Sequence, residues 1–232
     1  MLKTININGI IILNDKKEAY DFYEIESTCP NDVLKHLNGE DVKVIINSQG
    51  GSIFAGAEIY TALRTYQGKV TIEIHSFAGS SASIVAMAGD EVYMSPIAQM
   101  MIHNVSVTKS GDSRDMEQAI DILKSSTDAL ANAYVLKTGI NKEEILAMMD
   151  KETWLNAERA VELGFADSIM FQKSAHKQNA VNPMSLVASY NAEMLPQQAI
   201  NKFNDMKNEK KFNTEKVKHM TQINLLKLKE IH

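Results

Sequence analysis

Cysteine is nearly absent. Cys29 is the only one in 232 residues. No intrachain disulfide can form, a cysteine-rich zinc centre is excluded, and the usage fits a reducing compartment. Surplus positive charge is missing too. Lys and Arg number 24 against 29 Asp and Glu, a formal net charge of -5. That leaves no electrostatic footprint for bulk nucleic-acid binding. Long apolar runs are also lacking. Near the N-terminus there is only Ile10–Leu13, too short for the apolar core of a secretion signal. Nothing approaches the roughly 20 apolar residues that span a bilayer. These absences predict a cytoplasmic protein that engages neither membrane nor nucleic acid. Phosphate-loop patterns of the forms G-x-x-x-x-G-K-[ST] and G-x-G-x-x-G do not occur.

What is present is an ordinary globular balance. The chain is 44% hydrophobic and 23% charged, enough to bury the core of one good-sized domain. Residues 1–172 alternate short β-branched runs with amphipathic ones. Ile10–Leu13, Val42–Asn47 and Val70–His75 read as strands, with Glu91–Met94, Met100–Ile102 and Ala166–Met170 as shorter ones. Helices are predicted from Pro30, carrying Val33, Leu34 and Leu37, and over Ala55–Thr65. The small, apolar Ser80–Ala88 reads as a buried helix. Asp112–Thr138 reads as a long amphipathic helix, with Met116, Ile120, Leu123, Leu130, Tyr134 and Val135 on one face and Gly139 as its stop. Lys142–Met149 and Asn156–Leu163 follow as further helices. Such alternation with short connections predicts an α/β fold with parallel strands and right-handed crossovers.

The character changes at Lys173. Residues 173–232 hold ten Lys, no Arg and five Asp or Glu, and two of the four prolines. They read as a basic C-terminal extension, partly disordered or helical, with Lys216–Ile231 as a basic amphipathic helix. A solvated appendage is the plain reading, and an arm that engages a partner or scaffold is the sharper one.

Two glycine-bearing segments invite chemistry. Asn47-Ser48-Gln49-Gly50-Gly51-Ser52 follows a strand and precedes a helix. A Gly-Gly pair there lets backbone N–H groups face a ligand, as in an oxyanion hole, although a simple turn needs the same residues. Ala78-Gly79-Ser80-Ser81-Ala82-Ser83 sits at a strand end and opens a helix. It offers a nucleophile or merely an N-cap, and three serines within four residues leave the nucleophile open. The segment is not G-x-S-x-G. A general base would come from His36, His75, His103, His176, His219 or His232. Of these, His103 ends a strand and can project into a cleft. Asp150, Glu152 and Asp167 are the candidate orienting carboxylates, and spacing does not choose between them.

Together these segments resemble the proteolytic subunit of Clp protease. Ile45-Ile46-Asn47-Ser48-Gln49-Gly50-Gly51-Ser52 is similar to its Y-I-N-S-P-G-G motif. Ala78 to Gly89 resembles its A-A-S-M-G-A-x-L-L-A-A-G nucleophile segment, and Met101-Ile102-His103-Asn104 its M-I-H-Q. Glu152-Thr153-Trp154-Leu155-Asn156-Ala157, through Ala160, Gly164 and Asp167, is similar to D-R-F-L-S-A-x-E-A-x-x-Y-G-L-I-D. All four fall in family order. Counting back from Gly89, the resemblance puts the nucleophile at Ser80 and the general base at His103. It puts Gly50, Gly51 and the Ser81 N–H at the oxyanion hole. The acid falls on Glu152, where the main family has Asp, with Asp150 as the fallback. Asp150-Lys151 stands where the family has an Asp-Arg pair at ring–ring contacts.

The resemblance implies a spiral of ββα units, the fold shared with crotonases, from which the helix over Asp112–Thr138 protrudes as a handle. It also implies homo-oligomeric rings, heptameric and stacked, that enclose the active sites and take polypeptide substrates without a metal or organic cofactor. Gln49 for proline, Gly79-Ser80-Ser81 for Ala-Ser-Met and the short N-terminus resemble the phage and prophage head-maturation branch. Axial N-terminal loops that meet an unfoldase are not recognisable. Partners would then be a capsid or scaffold precursor, or an ATPase. Two other readings fit parts of the pattern. One is a crotonase-type acyl-CoA enzyme, which also pairs amides around an oxyanion. The other is a non-catalytic assembly protein, favoured by Glu152 at the acid position.

Overall fold

The computed structural model describes residues 2–172 and 195–209. Its centre is an eight-stranded sheet. β1 (Lys3–Ile11), β3 (Val42–Gly51) and β4 (Val70–Gly79) lie side by side, with β2 (Ser27–Thr28) on the outer edge of β1. β5 (Glu91–Met94) pairs the first half of β4, and β8 (Ser168–Ile169) closes that edge. Strong alternation builds the centre. Val42, Val44 and Ile46 on β3 and Val70, Ile72 and Ile74 on β4 are all buried. Burial of each such side chain contributes about 1.5–3 kcal/mol.

Helices link the strands. α1 (Lys17–Phe22) and α2 (Pro30–Leu34) follow β1, α3 (Ile53–Arg64) follows β3, and α4 (Ser81–Ala86) follows β4. All six α4 residues are buried, as expected of a small, apolar segment. The long α5 (Ser113–Thr138) starts on a capping box. Asp112 accepts the Asp115 N–H, and the Asp115 side chain accepts the Asp112 N–H. α6 (Lys142–Asp150) and α7 (Ala157–Glu162) complete this part of the chain.

Several expectations are corrected. β1 begins at Lys3 rather than Ile10. Ile5 and Ile7 face inward between Asn6 and Asn8, an alternation extending the strand ahead of the apolar run at Ile10, although Asn is a poor strand former. One pairing is antiparallel. β6 (Gln99–Ile102) lies parallel to the end of β4 but antiparallel to β7 (Thr153–Asn156), an element the helix-and-strand reading passed over. The apolar face of α5 is only partly covered within the chain, with Ile120 48% exposed. Its buried positions are Tyr134, from that face, with Ala119, Thr127, Ala131 and Ala133. Small residues let the helix approach closely, which a count of large apolar side chains does not register.

Residues 195–209 contain a helix over 197–209, here α8. It packs on α1. The Phe203 and Phe22 rings lie 5.1 Å apart, and Tyr23 Oη donates to the Ala199 carbonyl at 3.2 Å. The Leu195 N–H donates to Tyr20 Oη at 2.9 Å, and Lys207 pairs with Glu18. Lys216–Ile231, with His176, His219 and His232, lies outside the described residues.

Candidate active site

The C-terminal ends of three neighbouring parallel strands, β3, β4 and β6, converge on one spot. Carboxyl ends of parallel strands are where open α/β sheets place their ligands. The β3–β4 register breaks between Ile46 and Ser48, after which Ser48 stands opposite Ala78. β4 leaves β5 and takes β6 as its neighbour, pairing Gly79 with Met101. The Ser80 N–H then donates to the Met101 carbonyl at 2.9 Å.

Ser80 sits at the turn from β4 into α4, with φ 52° and ψ -125°. A non-glycine residue there is strained by about 1–3 kcal/mol, and such strain persists only where surrounding structure enforces it. The turn puts Ser80 Oγ 2.9 Å from His103 Nε2. Burial pushes the His103 imidazole below its ordinary pKa, and the charge of Glu152 pulls it partly back up. A neutral ring with its proton on Nδ1 leaves Nε2 free to accept from the serine hydroxyl. Of the three serines, Ser80 is the one in contact with a histidine. Ser83 Oγ donates to the Ser80 carbonyl at 2.6 Å, and Ser81 Oγ is buried without a hydrogen-bond partner among the described residues.

The Gly-Gly loop lies against this turn. Gly50 has φ 94°, and a Cβ added to it would meet the Gly79 carbonyl oxygen at 2.5 Å and Ser80 Cβ at 2.8 Å. Only glycine permits that approach. Gly51, at φ 146°, is walled on its other side by Ile11 and Ile10 of β1. The Gly50 N–H is engaged, donating to Ser48 Oγ at 3.0 Å, and Ser48 Oγ donates to the Gly9 carbonyl at 2.6 Å. Gly50 therefore supplies close approach rather than a free donor. Ser81 is the first residue of α4, so its N–H has no partner within the helix.

The acid position is less tightly bound. Ile102 pairs with Thr153 in the β6–β7 ladder, so one further step in the antiparallel register sets His103 opposite Glu152. Yet no hydrogen bond joins His103 to either Glu152 or Asp150 among the described residues. Glu152 Oε1 accepts the Trp154 indole N–H at 3.3 Å, and Asp150 Oδ1 accepts from Asn104 Nδ2. Glu152 is exposed and has φ 48°. Lys151 is exposed beside it. Asp167 is elsewhere, accepting the Val92 N–H at 2.7 Å and pairing with Lys137. His36 and His75 are not in this cluster; His75 pairs with Glu73. Motif reading included Ser48 and Ser83 in their segments but not their supporting contacts, and it missed Tyr134, because a buried hydroxyl's partner is set by tertiary contact and not by local pattern.

The family model described as Clp protease matches residues 32–173. The ATP-dependent Clp protease proteolytic subunit 1 of Chlamydia muridarum is 31% identical over 138 residues, 57% of this chain and 71% of that one. The ATP-dependent Clp protease proteolytic subunit of Deinococcus radiodurans is 30% identical over 158 residues, 64% and 77% of the two chains. That of Dehalococcoides mccartyi is 32% identical over 140 residues, 60% and 70%. The chain belongs to the Clp protease family. No helix among the described residues is long and apolar enough to cross a membrane.

Proposed function

We propose that the chain is a serine endopeptidase in which Ser80 is the nucleophile, His103 the general base and Glu152 the orienting acid. The observation that carries this reading is the 2.9 Å approach of Ser80 Oγ to His103 Nε2, at a strained residue pressed against Gly50. His103 takes the Ser80 proton as Oγ attacks a peptide carbonyl. The proton then passes to the leaving amine as the C–N bond breaks. Water, deprotonated by His103, hydrolyses the acyl-enzyme and restores Ser80. The N–H groups of Gly51 and Ser81 hold the oxyanion, and each donor is worth about a hundred- to a thousandfold in rate. Glu152 steadies the imidazolium by its charge, which supports it over Asp150.

The relatives are named as proteolytic subunits of an ATP-dependent protease. By that likeness the chain assembles into cytoplasmic rings that enclose the site, with α5 as the handle between stacked rings and Asp150-Lys151 at their contact. Enclosure restricts substrates to unfolded segments or to chains delivered by a partner such as an ATPase. The Gly79-Ser80-Ser81 and Gln49 departures support the head-maturation branch, with a capsid or scaffold precursor as substrate. Residues 1–172 are the protease domain, and 173–232 the extension.

The test is cleavage of an unfolded protein substrate by wild type and Ser80→Ala. Wild type is expected to generate new peptide termini, and Ser80→Ala is expected to generate none while keeping its assembly. Equal cleavage by both would reject the assignment. A non-catalytic assembly role is a second reading, favoured by the missing His103–Glu152 hydrogen bond. It predicts normal assembly with no cleavage by either protein.

A further inference from the structure

Behind the nucleophile turn lies a polar pair that the mechanism above does not use. Ser83 and Tyr134 are 0% and 1% exposed, and their hydroxyl oxygens are 2.8 Å apart. Ser83 is in the first turn of α4, while Tyr134 belongs to the distant α5. Ser83 Oγ also lies 2.6 Å from the Ser80 carbonyl oxygen.

Counting protons settles the direction of this relay. A carbonyl oxygen only accepts, so the single Ser83 proton goes to Ser80. Tyr134 must then donate to Ser83. Burial holds the Tyr134 phenol far above its ordinary pKa, so it keeps its proton. The Ser80 carbonyl also accepts the N–H groups of Ser83 at 3.0 Å and Ile84 at 3.3 Å. Three donors fix one carbonyl.

The Ser80 carbonyl and the Ser81 N–H belong to the same peptide unit. In a trans unit the two groups point in opposite directions, and no cis peptide occurs among the described residues. Pulling the carbonyl into the body of the protein therefore turns the Ser81 N–H outward. We propose that Ser83 and Tyr134 are positioning residues that aim the Ser81 N–H at the oxyanion site and hold Ser80 in its strained conformation. The proposal rests on the assignment of Ser80 as nucleophile. It gives Ser83, one of the three serines of the segment, a supporting part. It also makes the α5 helix a structural support of the catalytic turn.

The test is inactivation of the full-length protein by a fluorophosphonate, whose P=O occupies the oxyanion site. Maximal rate (kinact) and half-saturation (KI) are measured separately, alongside Tm. Ser83→Ala should fold, since alanine occupies that place in the family motif quoted above. It is expected to lower kinact about fivefold, the weight of one ordinary hydrogen bond, with KI unchanged. Its Tm should also fall, because the Tyr134 hydroxyl is left buried without its acceptor. The double variant Ser83→Ala/Tyr134→Phe removes both hydroxyls. It is expected to regain Tm while kinact stays low. Wild-type kinact in the double variant, with wild type labelled at Ser80, would overturn the positioning role and leave the nucleophile assignment standing. Absence of a Ser80 adduct on wild type would overturn both.

Discussion

Ser80 holds a backbone conformation that costs energy, and its neighbours show what that energy sustains. The strained turn brings Oγ to His103. His103 is kept below its ordinary pKa chiefly by burial. In the proposed mechanism acylation needs the neutral ring, which exists above that pKa. The rate should therefore rise to a plateau through an acid limb below the ordinary imidazole value of about 6.5. Glu152 raises the His103 pKa, so Glu152→Gln should move that limb further down and lower the plateau. Asp150→Asn should leave the limb in place. The pH dependence of fluorophosphonate labelling measures both, and a limb that moves with Asp150 alone would transfer the acid role to it. The pairing of Ser80 with His103 was reachable in the sequence only through the family resemblance, since local pattern left three serines and six histidines open. Tyr134 was not reachable, since its partner Ser83 is 51 residues away. It read only as one apolar position on a helix face.

At the scale of elements, the central strands were legible and the edges were not. Val70–His75 shows clean alternation because one face of β4 is buried while Thr71, Glu73 and His75 on the other are only partly covered or exposed, and Val42–Asn47 follows it except at Ile45. β7 is four residues long and half-buried at Thr153 and Trp154, too brief for periodicity to single out. Its register with β6 nevertheless sets Glu152, the residue before it, opposite His103. The basic extension was read from composition alone, which does not see that α8 has an apolar face. Ile200 and Phe203 are both buried there. Phe203→Ala should weaken the docking of α8 on α1 by about 3 kcal/mol, near the lower end for a buried aromatic. Amide hydrogen exchange should quicken across 197–209 while β3 and β4 keep their protection. An equal change in all three would show that α8 is not an independently docked element.

For the whole molecule, a small set of apolar side chains remains uncovered. On α5, Ile120 and Ile122 are 48% and 54% exposed. If α5 is the handle between stacked rings, these residues meet their copies there. Replacing both by Asp should halve the assembled mass seen in sedimentation and leave each ring intact. An unchanged mass would remove α5 from the ring–ring contact. The most direct test of the central claim is peptide mapping after fluorophosphonate treatment, with wild type, Ser80→Ala and His103→Ala compared. One adduct on Ser80 of wild type, with none on either variant, is the predicted result. Modification of Ser81 or Ser83, or an assembled wild-type protein without any adduct, would contradict it.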